Sequence, residues 1–523
     1  MKNITKIREF MLTNGLKYLL VNATNEFLVE YNTLDNNSRY KLTGFSGSTG
    51  EALVTPETIY LFVDGRYHIQ ADLEVNHDLV TVIKLQTGQK FSDILFTKIP
   101  KDETLGIFAK KITQKMYETI QEKCKTKLLE IDPLDNDKNN NTPSNTSLDI
   151  KYTGLSAEEK ATKLSQNLSL NQAIYLTDLD EVSYIFNMRD FSQVFSAKIK
   201  AKAIILKDNA ILFTQDKLEN LSDFLKSLNK EILVDKSKIN AYDYNLIKDK
   251  AKELISNPVQ IMKAEKTDAE IEHLKSAFNK TDNAMKAIRE YILNSGNISE
   301  YDIAVKLAHE FKNQGALGLS FNSIVAKDKN SALAHYSKSS KDEIITDGSL
   351  ILIDCGGYFE GGLATDITRV FVKGEPTQLH KKIYTLVLKA FLQAYNFTQT
   401  HSNDSINGFE IDQATREFFN TQDCEGFIFN HGLGHGIGIN VHEYPPSLSP
   451  SELAKTPIKD GMCFSIEPGL YKEGLFGIRL ENSCYFKDNK IHSFVKMNYE
   501  SKLINFEMLS ETEKEQLKEF EVI

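Results

Sequence analysis

Residues 431–443 read "HGLGHGIGINVHE", three histidines threaded among glycines at 432, 434, 436 and 438. Imidazoles this close could serve a metal, a phosphate or a proton transfer, and their spacing helps to separate the options. Phosphate loops need G-x-G-x-x-G or G-x-x-x-x-G-K-[ST] between a strand and a helix, and these glycines match neither. A helical zinc motif would set His431 and His435 on one face, but the glycines disfavour a helix and the HExxH glutamate is missing. Strict alternation suits an extended chain whose backbone is approached closely by a ligand or another strand. On such a chain His431 and His435 project to one side about 13 Å apart, too far to share an ion without a bulge. One histidine as ligand, with the others in substrate roles, is the economical reading. Acids supply the company a lone ligand needs. Asp354 ends the apolar run "LILID", Asp366 opens "DITRV", Glu467 follows "FSI", and Glu481 lies within "IRLEN". One strand-borne acid is usually a surface charge, but four in buried-looking strands are costly unless cations neutralise them. Four carboxylates and one imidazole suffice for two divalent cations if two carboxylates bridge.

The elements that must position these groups show an internal repeat. "ALVTPETIYLFVDG" (52–65) and "AIILKDNAILFTQD" (203–216) align without a gap, each a run of β-formers, a polar turn and a second run, which predicts a β-hairpin. A helix-then-strand prelude precedes each: "ITKIREFMLTNG" with "LKYLLVNA", and "SAEEKATKLSQNLSL" with "QAIYLTD". Ser156 and Glu159 stand at capping-box spacing. Between the copies, "DPLDNDKNNNTPSNTS" (132–147) is polar and reads as an exposed linker. A second boundary falls near Thr267. Thr267 and Glu270 repeat the capping-box spacing, and Ile271, Leu274, Phe278, Met285, Ile288 and Ile292 follow at helical intervals until Gly296 stops the helix. A second helix is expected from about Ser299 to Gln314, then strands alternating with one further helix around 377–397. The predicted organisation is an α/β unit at 1–131, a polar linker at 132–150, a second α/β unit at 151–258 and an α+β domain at 259–523.

Composition bounds the setting. A chain of 523 residues with 41% hydrophobic content exceeds one ordinary core and calls for several domains. A formal net charge of -10 argues against a general nucleic-acid binder, whose phosphate contacts need clustered Lys and Arg. No segment reaches the roughly 18–20 apolar residues of a membrane span, and "MKNITKIREFMLTNG" has no apolar run ahead of a cleavage site. Five cysteines, odd in number and without CxxC, fit reduced thiols in a cytoplasmic enzyme.

Taken together, "IDCGG…TDITR", "HGLGHGIG", "IEPGLY" and "IRLEN" resemble the pita-bread metallopeptidases, which include methionine aminopeptidase, prolidase and aminopeptidase P. "LTGFSGSTGEALVTPETIYLFVDGRYHIQA", "YTGLSAEEK", "LDEVSYIFNMR" and "SFNSIVAKDKNSALAHY" are similar to the three-domain aminopeptidase P group, in the same order along nearly the whole chain. The resemblance implies two creatinase-like α/β domains followed by a pita-bread α+β catalytic domain. It implies a metal site in which Asp354 binds one ion, Asp366 and Glu481 bridge, and His435 and Glu467 hold the other. His335, His431 and His442 match the family's active-site histidines, His442 placed to stabilise the intermediate or move protons, and Tyr471 and Arg479 match groups that orient the site. Arg66 is a further candidate for substrate contact, although an ion pair within its own domain is the commoner use of such a residue. The implied activity is release of an N-terminal residue from peptides with proline at position two, normally with two manganese ions, and with Glu467 shuttling a proton. A prolidase confined to dipeptides and a silent peptide-binding homologue are the alternatives. Three-domain relatives carry a longer C-terminal extension implicated in subunit contact than residues 482–523 supply here; a homodimer is a further expectation of the resemblance. The Asp354–Asp366 interval is one residue longer than the family's usual spacing, and a loop at "YFEGG" is expected to absorb it. His273, on the helix after Thr267, is expected on a solvated face, and Cys355 is expected to point away from the site.

Overall fold

The computed structural model describes residues 2–86, 88–135, 144–401 and 406–520. The chain divides into two compact units, one built from 1–147, 155–192 and 198–259, the other from 148–154, 193–197 and 260–523.

The first unit carries the repeat as two sheets of matching topology. In the first, strand Tyr18–Val21 follows helix Lys2–Thr13 and pairs antiparallel with Glu51–Val54, which forms a hairpin with Ile59–Val63. Thr104–Phe108 then adds parallel on the other side. In the second, strand Gln172–Leu176 follows helix Ala157–Ser165 and pairs antiparallel with Ala201–Leu206, itself in a hairpin with Ala210–Thr214, while Glu231–Val234 adds parallel. The first sheet has six strands and the second five, because only the first extends its hairpin with a further parallel strand, Val80–Lys84. The Ser156–Glu159 capping box forms as its spacing predicts.

The exposed linker is corrected at both ends. Asp132 is buried in an ion pair with Lys111 at 2.7 Å, and Leu134 is buried in the first core. Asn145–Ser147 is a strand paired with Met188–Asp190. A buried lysine needs a carboxylate partner, and Asp132 is that partner, which polarity alone does not reveal. The middle of the predicted linker, 136–143, lies outside the described residues.

The second unit is built on an antiparallel sheet whose strands run, in spatial order, Ile324–Lys327, Leu350–Cys355, Ile367–Val372, Glu481–Lys487, Cys463–Ile466, Gly434–Gly436 and Glu443–Leu448, with Lys490–Ser493 also pairing Glu481–Lys487. Helices Gln378–Tyr395 and Gly408–Thr421 bury Leu386, Phe391, Ile411 and Phe419 in one core with Leu352, Val370, Leu433 and Phe464 from the sheet. Gly408–Thr421 corrects the expectation of a single further helix; its N-cap is Asn407, whose side chain accepts from Glu410 N. The long helix Asp268–Asn294 starts at the Thr267–Glu270 capping box. It ends at Ser295 in extended backbone rather than at a left-handed Gly296, which has no positive φ. His273 is also corrected. It is buried, its ring edge-on to Tyr152 at 5.5 Å and against Gly361, where even a methyl group would sit 2.5 Å from the imidazole.

Candidate metal centre

Sheet register gathers the acids. Asp354 lies directly across from Thr368, and Thr368 directly across from Glu481, so the three side chains form a row on one face. Asp366 is two residues before Thr368 and shares that face. Ile466 pairs with Asn482, which brings Glu467, the next residue, beside Glu481. Gly436 pairs with Phe464, His435 N donates to Ser465 Oγ at 3.0 Å, and Glu467 N donates to Leu433 O at 2.8 Å, so His435 enters from the adjoining strand. In the connection between the strands of Asp354 and Asp366, Tyr358 bridges Ala364 and Gly362 takes a φ of +65°. Cys355 pairs with Ile367 and is fully buried, one residue out of phase with the acidic row.

The alternating glycines have a steric cause. A Cβ on Gly434 would lie 2.0 Å from Ser465 O, one on Gly436 2.4 Å from Glu443 O, and one on Gly438 2.2 Å from the Glu443 carboxylate. Side chains there would push apart the strands that bring His435 to the acids. The strand is short, and a register shift between His435 and Gly436 bends it.

One potential ligand atom from each of Asp366, His435 and Glu481 lies within 4.8 Å of the others. His435 Nε2 is 3.6 Å from Asp366 Oδ2 and 3.4 Å from Glu467 Oε1. His435 Nδ1 faces Gly436 O at 3.1 Å; a carbonyl only accepts, so Nδ1 carries a proton and Nε2 is the nitrogen that faces the acids. Among the described residues, Asp354 Oδ1, Asp366 Oδ1 and Glu481 Oε1 are buried without a hydrogen-bond partner. Their sister oxygens have partners where donors are available: Arg479 Nη2 donates to Asp354 Oδ2 at 2.6 Å, and Thr368 Oγ1 donates to Glu481 Oε2 at 2.7 Å. Burial pushes the carboxyls of Asp366 and Glu481 well above the usual range, helped by neighbouring carboxylates. Glu467 is pushed up to about 7, mainly by burial, against the pull of Arg479. One guanidinium cannot balance four clustered carboxylates, two of them buried and two half-buried. Hard oxygen donors, one imidazole and buried oxygens left without a partner together fit divalent cations.

A hydrogen-bonded chain backs the cluster. Arg479 Nη1 donates to Tyr471 Oη at 2.8 Å, and Tyr471 Oη meets His431 Nε2 at 2.8 Å. His431 Nδ1 donates to Gly432 O at 2.7 Å, so Tyr471 donates its proton to Nε2. His431 is therefore tied to Asp354 through Tyr471 and Arg479. His442 packs edge-on against His435, with ring centroids 4.4 Å apart. His335 is half-buried on the loop after 328–332, next to Ala334, whose carbonyl accepts from Arg479 Nη1 at 3.2 Å. Arg66 belongs to the first unit, where its Nε and Nη2 grip Asp64 at 2.9 and 2.8 Å.

Two members of the site escaped sequence reasoning. Thr368 joins Arg479 to Glu481, taking the Arg479 Nε proton at 3.1 Å. Ser465 ties His435 N to Glu467 Oε1, donating to the latter at 3.2 Å. Both stand two residues from an acid along a strand, so alternation applied to Asp366 and Glu467 was the available signal.

Residues 272–488 match the model of metallopeptidase family M24, and residues 3–136 and 137–270 each match a creatinase/prolidase N-terminal domain. A probable Xaa-Pro aminopeptidase P of Laccaria bicolor is 27% identical over 99% of this chain and 89% of its own length. Xaa-Pro aminopeptidase 1 of Dictyostelium discoideum is 26% identical over 98% of this chain and 90% of its own. The solved X-prolyl aminopeptidase of Caenorhabditis elegans shares the fold with a TM-score of 0.86 at 22% identity, covering 97% of this chain and 90% of that one. Residues 272–488 thus form a peptidase domain of metallopeptidase family M24, preceded by two creatinase/prolidase N-terminal domains.

Proposed function

We propose that this protein is an aminopeptidase that hydrolyses the bond between an N-terminal residue and a penultimate proline, using two divalent cations, manganese foremost. The observation that carries the reading is the acid cluster at His435: Asp366 and Glu481 are buried, Asp354 and Glu467 half-buried, and Asp354, Asp366 and Glu481 each keep an oxygen without a hydrogen-bond partner. Relatives named Xaa-Pro aminopeptidase match the chain almost end to end, and the nematode enzyme is described as cytosolic with a di-nuclear active site. In this reading Asp354, Asp366, His435, Glu467 and Glu481 would hold the cations, and Asp366 and Glu481 would serve both. When bound, the cations supply Lewis acidity toward the scissile carbonyl and acidify water at neutral pH.

The chain's own groups supply the rest. Glu467, hydrogen-bonded by Ser465 and 3.4 Å from His435 Nε2, delivers a proton to the proline nitrogen, which cannot leave unprotonated. His442 borders the ligand His435 and stabilises charge developing on the carbonyl oxygen. His431, oriented by Tyr471 and Arg479, lines the substrate side with His335. Arg479 holds Asp354 in place, and Arg66 is kept as a candidate substrate contact. Among the described residues no helix is long and apolar enough to cross a membrane, and the five cysteines are unpaired, which supports placing the enzyme in the cytoplasm.

The test is peptide specificity. The purified, manganese-loaded protein should release the first residue from Xaa-Pro-Xaa peptides and leave Xaa-Ala-Xaa peptides largely intact. Equal rates on both would remove the proline assignment, and cleavage confined to Xaa-Pro dipeptides would make the protein a prolidase.

A further inference from the structure

Glu300 opens helix Glu300–Asn313 and is fully buried. Its carboxylate does not cap that helix, because Ser299 and Asp302 form the capping box. It turns instead to segment 327–340 and accepts four hydrogen bonds. Lys327 N at 2.6 Å and Asn330 Nδ2 at 3.0 Å reach Oε1, while Tyr336 Oη at 2.7 Å and Ser340 N at 2.9 Å reach Oε2. Two of these anchors precede His335 and two follow it. The crest of the loop is held from another side. Ser331 Oγ accepts from Gly477 N at 2.8 Å, and Ala334 O accepts from Arg479 Nη1 at 3.2 Å. His335 thus lies between Ala334, tied through Arg479 to the Asp354 carboxylate, and Tyr336, tied to Glu300.

We infer that Glu300 is a positioning residue for His335: its buried carboxylate gathers both flanks of loop 327–340 and fixes the backbone that carries His335, one residue from the Ala334 carbonyl that Arg479 holds. Charge-assisted bonds to a carboxylate are short and strong, and among the described residues no other side-chain acceptor is bonded to all four of these donors. A glutamine would keep the volume but present its NH2 to two of them. The inference rests on the aminopeptidase reading for what His335 acts on, but not for how the loop is held.

The experiment uses the full chain loaded with manganese, in variants Glu300→Gln, Tyr336→Phe and His335→Ala, and the doubles that combine each of the first two with His335→Ala. Glu300→Gln should lower kcat on an Xaa-Pro-Xaa peptide by about 10- to 100-fold, the scale of a small misplacement of a catalytic group, with metal content unchanged. In the His335→Ala background the same substitution should change kcat less than about twofold, since groups acting through one another are not additive. Amide exchange followed by mass spectrometry should rise in 327–340 and stay unchanged in the other strands of the sheet. Multiplicative losses in the double variants, or unaltered exchange in 327–340, would overturn the inference. If Glu300→Gln does not fold, Tyr336→Phe, which removes one hydroxyl, carries both tests. If the unmodified protein leaves Xaa-Pro peptides intact, the aminopeptidase reading fails, and exchange in 327–340 still decides whether Glu300 holds the loop.

Discussion

Glu467→Gln should stabilise the metal-stripped protein at pH 8 and leave it almost unchanged at pH 4.5. Burial and the nearby Asp354 push the Glu467 carboxyl from 4.5 to about 7, against the opposing pull of Arg479, His442 and Ser465. Between those values the folded chain holds a proton that the unfolded chain has released, so stability falls as pH rises through the window and then levels off. A rise of that size corresponds to about 3 kcal/mol. Glutamine cannot ionise and carries no such penalty. At about 2–4 °C per kcal/mol for a unit of this size, the metal-free variant should melt roughly 6–12 °C above the unmodified protein at pH 8. Because the chain has no tryptophan, scanning calorimetry after chelation and dialysis is the suitable assay, run from pH 4.5 to 8. With manganese restored the order should reverse, since the variant lacks one carboxylate charge at the ions. A metal-free variant that melts at or below the unmodified protein at pH 8 would show that Glu467 is not held at an electrostatic cost.

Asp366→Asn should lose one or both metals by elemental analysis, because an amide cannot balance the charge of two cations. His442→Ala should keep both metals while turnover falls by roughly 10²–10⁴, the scale of a positioned acid–base group. Tyr471→Phe breaks the link from Arg479 to His431 and should lower kcat while metal content holds, as steady-state kinetics beside metal analysis will show. Gly434→Ala meets Ser465 O at 2.0 Å; overpacking of this kind costs about 1–3 kcal/mol and should weaken metal retention by displacing His435, measurable by dialysis against a chelator.

Much of the fold was legible because the signals were local. Hairpins and capping boxes depend on neighbours in sequence, so the repeated α/β unit and helix Asp268–Asn294 could be read directly. The alternation of glycines predicted a close backbone approach, which Gly434 and Gly436 make against Ser465 and Glu443. What was missed depends on contacts distant in sequence. Asp132 looked like linker polarity until Lys111 came beside it, and His273 looked like a solvated face residue until Tyr152 covered it. Helix Gly408–Thr421 follows a short polar stretch and shows its apolar face only in the core it shares with helix Gln378–Tyr395 and the sheet. At the site, the residue types of the acids were readable along single strands. Their meeting depends on cross-strand register, Asp354 to Thr368 to Glu481, and no single segment encodes that.

Metal-stripped protein titrated with manganese, with bound ions and release of the first residue from an Xaa-Pro-Xaa peptide read on the same samples, tests the central claim most directly. Binding should saturate at two ions per chain, with turnover appearing as the sites fill and absent in Asp366→Asn. Full turnover without bound metal, or two bound ions in a folded protein that never cleaves the peptide, would contradict that claim.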